Sequence, residues 1–135
     1  MKHRGVLTLA LGLVLGAGSM ELLHAQQGGG IKRTALQKAD LVDIAGREVI
    51  MGMAEIPSGG SAGKHTHFGT EVGYVLEGTA RFEVDGQPPR ELKPGDSYLV
   101  EPGKAHDAKV TSSGPAKVLA IYIVEKDKPL ATAAP

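Results

Sequence analysis

Glycine and proline cut this chain into apolar segments too short for helices of ordinary length. With 19 glycines and 8 prolines in 135 residues, the apolar segments run over 47–56, 72–76, 79–84, 97–100, 105–111 and 118–124. Turn residues separate them, which is the punctuation of strands. In ARFEVDG, Ala80, Phe82 and Val84 alternate with Arg81, Glu83 and Asp85. Such alternation puts apolar and charged side chains on opposite faces of a half-buried strand. Asp85-Gly86 then supplies a turn, as do Lys93-Pro94-Gly95-Asp96 and Pro102-Gly103, where proline presets one dihedral and glycine accepts positive φ. No long segment of helical period competes, and 37–44 fits either one short helical turn or an edge strand. Several short strands at roughly ten-residue spacing predict an all-β fold, a sandwich or a small barrel.

The length suits one domain with a real core. The chain begins like an export signal: Lys2, His3 and Arg4 are followed by an apolar stretch over 5–20 and by the small Ala25. Residues 1–25 are therefore expected to be a cleaved Sec-type signal peptide, which places the mature protein in the periplasm or outside the cell. The rival reading is an uncleaved membrane anchor, the one route by which this chain would meet a membrane. Residues 26–30, QQGGG, read as a flexible spacer, 31–125 as the folded barrel and 126–135, KDKPLATAAP, as a disordered tail. Cysteine is absent, so disulfides and thiolate ligands play no part. Acidic and basic residues number 15 each, so no charged field recruits nucleic acid.

Histidine is where the chain becomes specific. Two of its five histidines, His3 and His24, fall in the leader, leaving His65, His67 and His106. With one residue between them, His65 and His67 point to the same face of an extended strand. Glu71 follows across Phe68-Gly69-Thr70, a spacing that lets a carboxylate reach the same centre. Two imidazoles and a carboxylate leave coordination positions open on a divalent ion, and His106, just past the Pro102-Gly103 turn, offers a third imidazole.

These residues resemble the cupin superfamily. Its first motif is matched in full by Gly59, His65, His67, Glu71 and Gly78. Its second is matched in part by Gly95, Gly103 and His106, with Glu101 in place of the motif proline, Pro102 one residue later, and Val110 in place of the motif asparagine. The resemblance spans about 47–124. It implies a small cupin (jelly-roll) β-barrel of two antiparallel sheets. Inside it, His65, His67, Glu71 and His106 would hold one divalent transition metal ion, which could be Mn, Fe, Ni, Cu or Zn. The resemblance is also compatible with a homodimer. Val110 puts an apolar side chain where a polar one usually supports the pocket.

Two functions fit this reading. One is an exported metal-dependent enzyme, for example of dioxygenase type, acting on a small oxygenated molecule; the other is a non-catalytic module that binds a small ligand or the metal itself. Only 4% of residues are aromatic and tryptophan is absent, so large flat substrates find few stacking surfaces. Gly59, Gly78, Gly95 and Gly103 read as turn residues. Tyr74, Tyr98 and Tyr122 are expected to pack, Met51 and Met53 to fill core, and Arg81, Arg90 and Lys104 to lie on solvated surface. Because imidazoles must be neutral to coordinate, metal loss is expected as pH falls through and below about 6.5.

Overall fold

The computed structural model describes residues 30–135; the expected signal peptide and nearly all of the spacer lie outside the described residues. No α-helix occurs among those residues. The strands are β1 (Lys32–Asp40), β2 (Arg47–Ile56), β3 (His65–Thr66), β4 (Gly69–Glu77), β5 (Ala80–Val84), β6 (Arg90–Leu92), β7 (Ser97–Val100), β8 (His106–Val110), β9 (Ala116–Glu125) and β10 (Thr132–Ala133). They form two five-stranded sheets, ordered β1-β2-β9-β4-β7 and β10-β3-β8-β5-β6, and every pairing is antiparallel. The chain is thus all-β, with the two packed sheets that the turn spacing and the resemblance predict.

Alternation decides what faces inward. Along β2, Ile50, Ala54 and Ile56 are buried, and they meet the inward residues of β9, Ala116, Ala120, Tyr122 and Val124, with Ile50 opposite Tyr122. β5 contributes Ala80, Phe82 and Val84 to the core from the other sheet, while Arg81 stays exposed. Val110 packs with Ile31, Ala54, Ile56 and Ala116, so the residue in the motif-asparagine position serves the core. The outward face of the first sheet is also apolar. Met51, Ile121, Val72 and Leu99 lie side by side across β2, β9, β4 and β7, and Val72 and Leu99 are exposed. Met51 and Met53 lie on this outward face, half-buried, and are not core filling.

All four motif glycines have positive φ: +71° at Gly59, +74° at Gly78, +94° at Gly95 and +73° at Gly103. Gly78 is doubly constrained, because a Cβ there would also overlap the Pro115 carbonyl, so any side chain would combine backbone strain with a clash.

Two expectations are settled by the architecture. Of the alternatives for 37–44, the strand is the one formed as far as Asp40. β1 pairs with β2 through a bulge between Ala35 and Gln37, and a turn follows, closed by the Leu41 N–H donating to the Arg47 carbonyl at 3.0 Å. The tail is a correction. Residues 126–135 were expected to be disordered, yet Leu130 and Ala131 are buried against Ile50, Ala120, Tyr122 and Val124. Beyond them Thr132 and Ala133 pair with Thr66 and His65, and the Ala134 N–H donates to the Lys64 carbonyl at 2.9 Å. The physical reason is an open edge: β3 would otherwise expose unpaired backbone groups there, and the returning tail satisfies them while burying one leucine.

Candidate metal centre

The four residues singled out by spacing come from both sheets and meet between them. His65 opens β3 and His106 opens β8, paired directly across the second sheet. His67 lies just beyond β3, and Glu71 projects from β4 in the first sheet, opposite Tyr122 and Val100. All four are buried, and their prospective ligand atoms lie within 4.8 Å of one another. The rings pack closely, with centroids 4.2 Å apart for His65 and His106 and 4.8 Å apart for His65 and His67.

Hydrogen bonding fixes what each ring presents. His65 Nδ1 lies 2.6 Å from the Gly63 carbonyl, His67 Nδ1 2.6 Å from the Leu130 carbonyl and His106 Nδ1 2.9 Å from the Lys104 carbonyl. A carbonyl oxygen only accepts, so each Nδ1 carries a proton and donates it. In a neutral ring the Nε2 lone pair is then bare, and the Nε2 atoms of His67 and His106 both lie beside Glu71. His67 Nε2 is 2.8 Å from Glu71 Oε2, yet it does not aim at that oxygen and is left buried without a hydrogen-bond partner. His106 Nε2 is 3.0 Å from the same oxygen. Lone pairs this close repel unless a positive charge lies among them, either an extra proton on an imidazole or a cation. Three imidazoles, each oriented by an Nδ1–H bond to a carbonyl, are the arrangement that metal-ligating histidines adopt. The residues fit one divalent ion, and a mixed nitrogen and oxygen donor set suits Mn, Fe, Ni, Cu and Zn alike.

Burial lowers the His65 pKa from 6.5 to about 3, with the nearby His106 charge adding to the effect. In the metal-free protein, His65 therefore keeps its Nε2 unprotonated far below the ordinary histidine range. Burial alone would raise the Glu71 pKa, but the His106 and His67 imidazoles against it outweigh burial and hold the carboxyl well below its usual range. Glu71 is therefore an anion facing the three rings.

Sequence reasoning missed two residues here. Tyr98 donates its hydroxyl to Glu71 Oε1 at 2.7 Å. Burial, then the Glu71 charge, pushes its pKa well up, so it remains a donor. It reaches that position because its cross-strand partner is Gly73, where a Cβ would overlap the Tyr98 ring. The His65-to-Gly78 motif contains this glycine, but nothing in the motif pairs it with Tyr98. The other is Arg33, buried on β1, with Nη2 3.3 Å from His65 Nε2. Arg81, Arg90 and Lys104, the cations weighed from sequence, are exposed.

Two predictions arise at these supports. Tyr98→Phe should leave the fold intact and weaken metal binding about 10- to 100-fold, the usual loss when a ligand's outer partner is removed, as read by competition with a chelator. Truncation after Asp127 removes the carbonyl that orients His67. It should weaken metal binding by a similar factor and cost roughly 2–3 kcal/mol of stability from the lost Leu130 burial. Unchanged affinity in either variant would mean that these contacts do not orient the ligands.

A two-sheet antiparallel barrel with three histidines and a glutamate converging between its sheets defines a class: the small β-barrels built around a buried cluster able to take one metal ion. The cupin-domain family profile matches residues 52–122, more than half of the chain, and the chain belongs to that family. No curated protein matches it.

Solved structures share the fold. The DMSP lyase DddQ from Ruegeria pomeroyi DSS-3 is 26% identical with a TM-score of 0.58, over 64% of this chain and 43% of that one. The present chain therefore spans less than half the length of that relative. An RmlC-like cupin from Shewanella frigidimarina NCIMB 400 is 23% identical with a TM-score of 0.60, over 82% of this chain and 89% of that one. KdgF from Halomonas sp. is 22% identical with a TM-score of 0.56, over 73% of this chain and 83% of that one.

Proposed function

We propose that this protein is an exported, metal-dependent cupin that acts on a small oxygen-bearing molecule at one ion held by His65, His67, Glu71 and His106. One observation carries the reading. Each imidazole is oriented by an Nδ1–H bond to a carbonyl, so that its Nε2 is kept for a ligand. A cavity of about 30 Å³, lined in part by His65, Glu71 and His106, opens at the cluster, which is room for a very small molecule. When bound, the ion would polarise an oxygen of that molecule or activate water or oxygen. The chain's own contribution is to hold the Nε2 lone pairs in place, to keep Glu71 ionised and to exclude bulk water with Phe82, Ala108 and Val118, which line the cavity. Export is part of the proposal and rests on the basic, then apolar, start of the chain. It would make the metal one acquired outside the cytoplasm.

The test is elemental mass spectrometry on protein recovered from the exported fraction, followed by assay of the metal-loaded protein against small hydroxy and carbonyl compounds. Stoichiometric metal, with a turnover lost in His67→Ala, supports the enzyme. Stoichiometric metal with ligand uptake but no product assigns a binding module instead. No uptake after reconstitution with each of the five candidate ions overturns the metal reading.

A further inference from the structure

The lining of the cavity beside the cluster is of two chemical kinds. One part is polar and includes His65, Glu71, His106, Tyr98 and Tyr122. The other is mainly aliphatic, with Ile31, Ala54, Ile56 and Val118. Arg33 lines the same cavity and is only 2% exposed. Ala54 lies directly across from Arg33 in the β1–β2 register, and a side chain that small leaves the space beside the guanidinium open.

Arg33 is only partly satisfied by the protein, and no charge balances it. Its Nε and Nη1 are buried without a hydrogen-bond partner. Nη2 lies 3.3 Å from His65 Nε2, the very atom that a metal would claim, and a further polar neighbour of the guanidinium is the Tyr122 hydroxyl, a neutral one. Among the described residues no carboxylate forms an ion pair with it; Glu71, the acidic residue lining the same cavity, is engaged by His67, His106 and Tyr98. Arginine cannot neutralise itself by losing its proton, and a cation held in the interior without a counter-charge is strongly unfavourable. A divalent ion a few ångströms away would add to the positive charge. What restores balance at this place is an anion, and the planar fork of a guanidinium is matched by a carboxylate.

We infer that Arg33 is the anchor for the carboxylate of a short-chain aliphatic acid, whose hydrocarbon lies against Ile31, Ile56 and Val118. The cavity, at about 30 Å³, is roughly twice what one water needs, so the hydrocarbon must be short. This inference rests on the proposed metal reading for the neighbouring charge, and it narrows the class of small oxygen-bearing molecule to an anion.

The experiment titrates propionate and its neutral isostere propionamide into the protein loaded with zinc, a redox-silent probe, and follows binding by calorimetry and amide chemical shifts. Propionate is expected to bind at least about tenfold more tightly than propionamide. Arg33→Met, which keeps the length of the side chain without its charge, should weaken propionate about 10- to 100-fold, the range for a charge-assisted hydrogen bond. Zinc content should stay unchanged, and Arg33→Lys, which keeps the charge but not the fork, should fall between. Equal binding of acid and amide, or unchanged propionate affinity in Arg33→Met, overturns the inference. So does the absence of binding by acetate, propionate and butyrate at full zinc occupancy, and each of these results leaves the metal reading standing. Failure to take up zinc counts against the metal reading alone; the acid and amide comparison on the metal-free protein then decides Arg33, and the comparison in unsubstituted protein guards against a variant that fails to fold.

Discussion

Changing His65 and His67 together to alanine is expected to abolish stoichiometric metal binding while the barrel persists. The two rings supply half of the converging donor set. Losing even an outer partner of a ligand weakens binding about 10- to 100-fold, so removing two ligands should cost about a thousandfold or more. The fold should survive because His65 and His67 lie at the short β3, while the cores around Ile50, Ala54 and Phe82 are built on other strands. A thermal melt separates the two effects. Saturating metal at about a thousand times its dissociation constant stabilises a protein by about 4 kcal/mol, so the parent's melting temperature should rise on adding metal and the variant's should not move. A metal-dependent rise of equal size in the variant would place the ion elsewhere. A variant unfolded even without metal would show that the rings are structural, in which case Glu71→Gln, which keeps all three rings, reads the site instead.

The sequence made the strands and the convergent residues legible for reasons that can be stated locally. ARFEV alternates by residue type, and its burial alternates in step. The spacing of His65, His67 and Glu71 belongs to one short stretch of chain and survives translation into three dimensions because a two-residue strand and a sharp turn leave few ways to arrange it. Val118 to Val124 was less informative: both faces of β9 are apolar, since Leu119, Ile121 and Ile123 point outward beside Met53, Met51 and Val49, so periodicity could not separate inside from outside.

Arg33, Tyr98 and the tail were invisible for a common reason: each acts through a partner distant in sequence. Arg33 sits beside Lys32 in a stretch that reads as an ordinary charged edge, and only the fold turns one cation outward and buries the other. Tyr98 looks like any strand tyrosine until Gly73 is placed opposite it. The tail was judged on composition, which carries no information about the open edge at β3 or about the His67 ring waiting for the Leu130 carbonyl. The spacing of a motif names the atoms that converge, whereas their support depends on contacts that only the closed barrel creates.

The metal-free protein is expected to lose stability steeply on mild acidification, and the sign follows from where the protons go. His65 has an ordinary pKa of 6.5 and is lowered to about 3 in the fold, by burial first and by the His106 charge second. Between those two values the unfolded chain binds a proton that the folded chain refuses, so acidification favours unfolding. The contribution of His65 is fully present above about pH 6.5 and is lost progressively as pH falls toward 3, reaching on the order of 4–5 kcal/mol in all and about 3 kcal/mol by about pH 4. Glu71 acts in the same direction lower down: its carboxyl, held below the usual range by His106 and His67 despite burial, contributes stability above about pH 4.5 that disappears as pH drops through its lowered pKa. Thermal melts of chelator-treated protein from neutral pH to about pH 4 should therefore show a continuous fall, and His65→Ala should flatten it above about pH 4.5 and leave below that only the part due to Glu71. Melting temperatures that stay level across this range, or an identical slope in the variant, would show that the His65 ring accepts a proton within the fold. In that case its Nε2 would be contested by protons near neutral pH, and metal would be lost in the ordinary histidine range.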